Sequence, residues 1–167
     1  MSRLFDDASS QNLEIASALV TATPLTLASW FYSDDPAANQ GQIAITDLSS
    51  LTDSFELKAD GSVAGNPVLA RTIQGGGGDQ AATTTGYSVN TWHHACAVFT
   101  AANNRTAYID GGSSANDTGS RTPSGSNTTY IGRRRGASDN FMSGRIAEAA
   151  IWNVALTAAE VLSLARG

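Results

Sequence analysis

Asn90-Thr-Trp-His-His-Ala-Cys-Ala-Val-Phe-Thr-Ala-Ala-Asn-Asn-Arg-Thr-Ala-Tyr-Ile-Asp-Gly111 decides the fold. Trp92 to Thr100 is rich in aromatic, β-branched and small apolar residues, Ala101 to Arg105 is a polar turn, and Thr106 to Asp110 is a second short run closed by Gly111 and Gly112. Two such runs about a short polar turn predict a β-hairpin. Side chains alternate along a strand, so His93, Ala95, Ala97 and Phe99 share one face and Trp92, His94, Cys96 and Val98 the other. Both faces are mostly apolar, as in a strand covered on both sides.

Working outward, Leu25 to Tyr32 reads as a strand with Leu25, Leu27 and Phe31 on one face and Ala28, Trp30 and Tyr32 on the other. Gln42 to Thr46, Ser54 to Ala59 and Val68 to Thr72 read as three more, with Thr128 to Arg133 and Ser143 to Trp152 beyond the hairpin. Ser2 to Ile15 is expected to form a strand pair around an Asp6-Asp7-Ala8-Ser9-Ser10 turn. Ala16 to Pro24 fits a loop or a short helical turn. Gly75 to Gly78 is expected to be a loop tip, because it lacks the Lys-Ser/Thr of a phosphate loop. Gly112 to Asn127, rich in Ser, Gly, Asn and Thr, is expected to be a long surface connection. One helix closes the sequence: Thr157 as N-cap and Glu160 three residues on form a capping box, with Val161, Leu162, Leu164 and Ala165 on its apolar side and Gly167 as a stop. Short strands at regular spacing predict an all-β, antiparallel two-sheet jelly-roll sandwich, a single domain over residues 1–167.

These blocks resemble the laminin G-like branch of the concanavalin A-like lectin/glucanase superfamily. The likeness rests on Trp92-His93-His94 with Tyr108-Ile109-Asp110-Gly111, on Leu25 to Tyr32, and on the run from Tyr130-Ile131-Gly132 through Phe141 to Glu148, Ile151-Trp152-Asn153 and Ala155 to Glu160. Sandwiches of this kind serve as lectins, adhesion modules, enzymes and virion proteins, so the resemblance implies a fold before it implies a function. The Phe5-Asp6-Asp7 start is similar to that of bacteriophage structural proteins with this domain. It implies a virion surface protein, a capsid decoration or tail-associated component whose partners are capsid or tail proteins and host-surface glycans. A soluble lectin-like carbohydrate-binding module is the alternative, and a divergent glycoside hydrolase the second.

Composition narrows these readings. The 167 residues carry 41% hydrophobic and 15% charged residues, which suits a globular domain with a sizeable core. A net charge of -5 gives no general attraction to nucleic acid or anionic membranes. Cys96 is the only cysteine, is expected to be a small buried hydrophobe, and offers no intrachain disulfide. Met1 to Phe5 leads into polar sequence without the apolar run of a secretory signal, and no stretch is long enough to cross a membrane. The expected location is therefore the virion, with cytoplasm or non-classical export as alternatives, and a homo-oligomeric state is left open. The sequons at Asn104, Asn116 and Asn127 are expected to be a by-product of Asn- and Thr-rich loops.

No catalytic set is legible. His93 and His94 point to opposite faces and cannot chelate one ion together. No Ser-His-Asp, Cys-His or HExxH arrangement is readable. Asp53, Glu56 and Glu148 are isolated rather than paired along one strand, as glycoside hydrolysis would need. No enzyme activity is expected. Calcium-binding relatives often read Gly-Arg-Ile-Asp-Glu-Val where this chain has Gly144-Arg145-Ile146-Ala147-Glu148-Ala149, so Ala147 stands in place of an oxygen ligand and no cofactor is expected. Asp6 and Asp7, or Asp34 and Asp35, would have to build a different site, and such pairs more often cap turns. Two candidate surfaces remain. Trp30, Tyr32, Trp92 and Trp152 are the candidate sugar platform, since sugar C–H faces stack on π systems; the competing expectation is that they fill the core. Arg133, Arg134 and Arg135 form a basic spot on an acidic protein, a candidate contact for an acidic partner.

Overall fold

The computed structural model describes residues 1–134 and 140–167. Two antiparallel sheets pack face to face. The front sheet contains β1 (Ser2–Phe5), β3 (Leu25–Ser33), β8 (Trp92–Ala101), β9 (Asn104–Ile109), β10 (Gly112–Asp117) and β12 (Gly144–Trp152), in the order β1-β12-β3-β8-β9-β10. The back sheet contains β2 (Leu13–Ile15), β4 (Asn39–Thr46), β5 (Ser54–Asp60), β6 (Pro67–Gln74), β7 (Gly77–Gly86) and β11 (Thr128–Ile131), in the order β2-β11-β4-β5-β6-β7. One helix, α1 (Ala158–Leu164), follows β12.

The main core lies between the sheets and takes every second residue of the central strands. Leu25, Leu27 and Phe31 of β3 and Ala95, Ala97 and Phe99 of β8 meet Ile43, Ile45, Phe55, Leu57 and Val68 from the back sheet. The expected alternation holds, and so does the covering of the other face. Ala28, Cys96 and Val98 form a second cluster around Val161 of α1, with Trp152 and Tyr108 packed against it. The capping box is present, the Glu160 amide donating to Thr157 Oγ1 at 3.3 Å and the Thr157 amide to Glu160 Oε2 at 2.7 Å. Thr26 pins the approach to the helix: its hydroxyl donates to the Val154 carbonyl and accepts from the Leu156 amide.

Several expected elements fall differently. The first two strands do not pair with each other; β1 joins β12 at the front and β2 joins β11 at the back, so the Asp6 turn carries the chain from one sheet to the other. Gly75 and Gly76 alone make the turn between β6 and β7, both with positive φ, while Gly77 and Gly78 belong to β7. Asp110 and Gly111, also at positive φ, make a two-residue hairpin turn into β10, so Gly112 to Asp117 is a strand rather than part of the surface connection. An Asp-Gly pair between two runs is a strong hairpin signal; the polar composition of β7 and β10 conceals them because both are edge strands with one wet face. Ala16 to Pro24 forms neither helix nor strand.

The outer face of the back sheet is unexpectedly charged and buried. Glu56 and Lys58 point away from the core yet are 0% and 2% exposed. Arg134 lies across them, its Nε donating to Glu56 Oε2 at 2.8 Å, and Lys58 Nζ pairs with Asp60 at 3.1 Å. Gly41 makes room for this: a Cβ there would sit 2.1 Å from the Arg134 amide nitrogen. Desolvation holds the Lys58 ammonium below its usual range, against the pull of Asp60. Removing one member of such a pair strands the other charge. Arg134→Met is therefore expected to destabilise the protein by about 3 kcal/mol in chemical denaturation, and the Glu56→Leu/Arg134→Met double variant to recover much of that loss. A double variant no more stable than the single one would contradict the account.

Candidate functional site

The outer face of the front sheet is divided in two. Cross-strand register places Trp152, Thr26 and Val98 in one row and Ala28 beside Cys96 in the next, and α1 lies over both. Beyond the helix the register continues into two further rows, Ala147–Trp30–His94 and Arg145–Tyr32–Trp92, of which His94 alone is buried. Three of the four expected platform aromatics thus come together on the bare half. Trp152 does not join them; it packs beside the helix. None of the four fills the main core between the sheets.

Tyr32 and Trp92 lie side by side with ring centroids 5.8 Å apart, and Trp92 is 38% exposed. The Tyr32 hydroxyl donates to Asn90 Oδ1 at 3.3 Å, which fixes the ring and leaves polar groups at its edge. Trp30 is half-buried and meets the His94 ring edge-on at 5.5 Å. Trp30, Trp92, Ala147, Glu148 and Gly167 line an open recess of about 320 Å³. Glu148 is not on the regular ladder: a bulge between Ala147 and Ala150 gives it φ 51, a left-handed conformation that a residue with a Cβ adopts at a cost. Bulges of this kind re-aim side chains, and this one brings Glu148 to the recess, where sequence alternation gives no hint of it. A second cleft of about 220 Å³, at the open sheet edge between β1 and β2, is lined by Phe5, Leu13, Ile131, Ile146 and Ala149 together with Arg3 and with Glu148, which it shares with the recess.

The two histidines are divided as alternation requires. His93 belongs to a chain that the sequence reading missed: its Nδ1 lies 2.8 Å from Asp110 Oδ2 and its Nε2 3.1 Å from both the Ser88 hydroxyl and the Ser88 amide. This is a Ser-His-Asp sequence in space that is not readable along the chain. The Ser88 N–H donates to Nε2, so the ring proton sits on Nδ1 and the lone pair a catalytic base would use is already engaged. Asp110 also accepts from the His94 amide at 2.9 Å. The chain ties the β7–β8 loop and the β9–β10 turn to the start of β8. His94 is buried, its Nδ1 has no hydrogen-bond partner, and burial lowers its pKa against the opposing charges of Asp110 and Glu148.

The basic spot is dispersed. Arg134 is paired inside, as above, and is unavailable as a surface contact. Arg133 is sandwiched between the rings of Tyr130, at 4.9 Å, and Phe141, at 5.2 Å. Arg135 lies outside the described residues. One member of each acidic pair caps a turn, Asp6 accepting from the Ala8 amide and the Ser9 hydroxyl and Asp35 from the Ala37 amide, while Asp34 accepts from the distant Ser143 hydroxyl. Among the described residues no group of three or more His, Cys, Asp or Glu side chains is arranged to hold a metal.

Residues 7–162 match the family model described as the concanavalin A-like lectin/glucanases superfamily, and the chain belongs to that family. Comparison with curated proteins gives no match. Among solved structures, the chain is similar to the CBM40 of the Ruminococcus gnavus IT-sialidase, solved with α2,3 sialyllactose, at TM-score 0.70 and 11% identity over 99% of this chain and 98% of that one. Domain 4 of AbnA, a GH43 extracellular arabinanase from Geobacillus stearothermophilus solved with arabinotriose, aligns at TM-score 0.74 and 15% identity over 92% and 72%. A heptameric SAP-like pentraxin from Limulus polyphemus aligns at TM-score 0.67 and 14% identity over 92% and 75%. At such identities the likeness is one of fold.

The buried His94 has a consequence for stability. The unfolded chain takes up a proton at this position near pH 6.5, where the folded chain resists it. Stability is thus expected to fall as pH drops through about 6.5 towards the lowered folded value. His94→Phe, which keeps a ring against Trp30, is expected to flatten this part of the melting-temperature profile between about pH 7.5 and 5.5; an unchanged slope would exclude His94 as its source.

Proposed function

We propose that this member of the superfamily is a carbohydrate-binding module that holds its ligand on the bare half of the front sheet. The observation that carries the reading is the Tyr32–Trp92 pair, solvent-facing and 5.8 Å apart, beside the recess that runs from Trp92 to Trp30. Stacking on such rings suits the apolar faces of sugars, while Asn90, Arg145 and Glu148 around them supply groups for hydroxyls. Two structurally similar modules, solved with sialyllactose and arabinotriose, support the reading by analogy of fold. Binding without hydrolysis is part of the proposal, because the recess presents one carboxylate where glycoside hydrolysis uses two.

For its setting we propose the surface of a particle, a bacteriophage virion, on which the module would meet host glycans. The support is the sequence resemblance at Phe5-Asp6-Asp7 alone.

On a glycan array the protein is expected to retain specific oligosaccharides. Tyr32→Ala and Trp92→Ala should each weaken the best of them by roughly three- to tenfold. Trp152→Ala, under the helix, should lower the melting temperature and leave affinity unchanged. An array that stays blank under all ionic conditions would overturn the reading. The setting is checked separately by electron microscopy of material from the natural source: repeated copies on a shell or tail are expected, and a free, small species would overturn it.

A further inference from the structure

We propose that the recess selects a positively charged sugar, one carrying a free ammonium group in place of a hydroxyl or an acetamide. The inference rests on the glycan-binding reading and names the class of glycan. It comes from what lines the recess: two indoles, one carboxylate, an alanine and a glycine, with no cationic side chain among them. Indole is the strongest cation–π ring among the side chains, and a carboxylate next to it adds a full negative charge.

Glu148 is exposed and makes no hydrogen bond or ion pair with the described residues. It is held there by a left-handed backbone in a β-bulge, a position where glycine would be free of strain. Strain of this kind persists where the surrounding structure imposes it, and it gathers at ligand sites. The nearest cations along the chain do not neutralise the site. Arg3 shares the neighbouring cleft with Glu148 but lies over the Phe5 ring at 5.4 Å and makes no ion pair with it, Arg145 lies one row away beside Tyr32, Arg166 is exposed just past α1, and none of the three lines the recess. The last turn of α1 carries no basic side chain. A neutral sugar uses the indoles and takes the carboxylate only as a hydrogen-bond acceptor; an ammonium sugar also uses its full charge.

The test is calorimetric titration with a glucosamine tetramer and with its fully N-acetylated counterpart, at low salt and in mildly acid buffer where the amine is protonated. The protein is expected to bind the glucosamine tetramer about tenfold more tightly, with the margin shrinking as salt rises. Glu148→Gln, which keeps an oxygen acceptor for hydroxyls and removes the charge, should abolish the margin by weakening the glucosamine tetramer much more than the acetylated one. Glu148→Gly should do the same and raise the melting temperature by relieving the left-handed backbone. Equal affinity for the two tetramers, or a margin that survives Glu148→Gln, would overturn the inference and leave the wider glycan reading intact. Absence of binding to any glycan, acetylated or free, would remove the glycan reading itself.

Discussion

The structure depends on the two-sided burial of the β3–β8 pair. Each strand has an apolar set facing the back sheet, centred on Leu27, Phe31, Ala97 and Phe99, and a second facing outwards, Ala28 with Cys96 and Val98. The outward set is small, so it can be covered by a short helix but leaves little apolar area to spare. Val161 is the one fully buried residue of α1, and the helix is held in place as much by its capping box and by Thr26 as by its apolar side. A seven-residue helix has no stability of its own in water. It exists because the sheet beneath presents a surface of matching shape.

The candidate site follows from the same constraint. A seven-residue helix is about 10 Å long and cannot shield the whole outer face. Where it stops, the strands continue, and their outward positions change from Ala and Cys to Trp30, Tyr32, Trp92 and His94. His94 is buried there beneath Trp30, while Trp30 and Tyr32 stay half-buried and Trp92 stays exposed, with no element of this chain laid over them. The recess between Trp30, Trp92 and Glu148 is thus the boundary between the covered and the bare halves.

The back sheet solves a similar problem differently. Its outer face carries Glu56, Lys58 and Asp60 and is closed by Arg134 through ion pairs, not by a helix through apolar contact. The desolvation of each buried charge offsets much of the attraction between them. Burial of this kind explains why an arginine run that reads as a surface feature turns inwards: a glutamate buried on one strand requires a cation from somewhere, and Gly41 leaves the backbone room for Arg134 to supply it.

The sequence alone determined what depends on local periodicity. Period-two alternation in Leu25 to Tyr32 and Trp92 to Thr100 specified two-sided strands, Thr157 with Glu160 specified the helix, and together they specified an antiparallel sandwich. The same alternation placed Trp30 and Tyr32 on the outward face. Tertiary structure decided everything that depends on which elements become neighbours. It separated β1 from β2, made strands of the polar β7 and β10, took Trp152 and Arg134 out of their expected surfaces, and joined Ser88, His93 and Asp110. It also brought Glu148 to the aromatics through a bulge. The physical reason is that pattern along a chain reports which face a side chain takes, whereas a site is made where faces from distant segments meet, and that meeting is set by register, bulges and the reach of a covering helix.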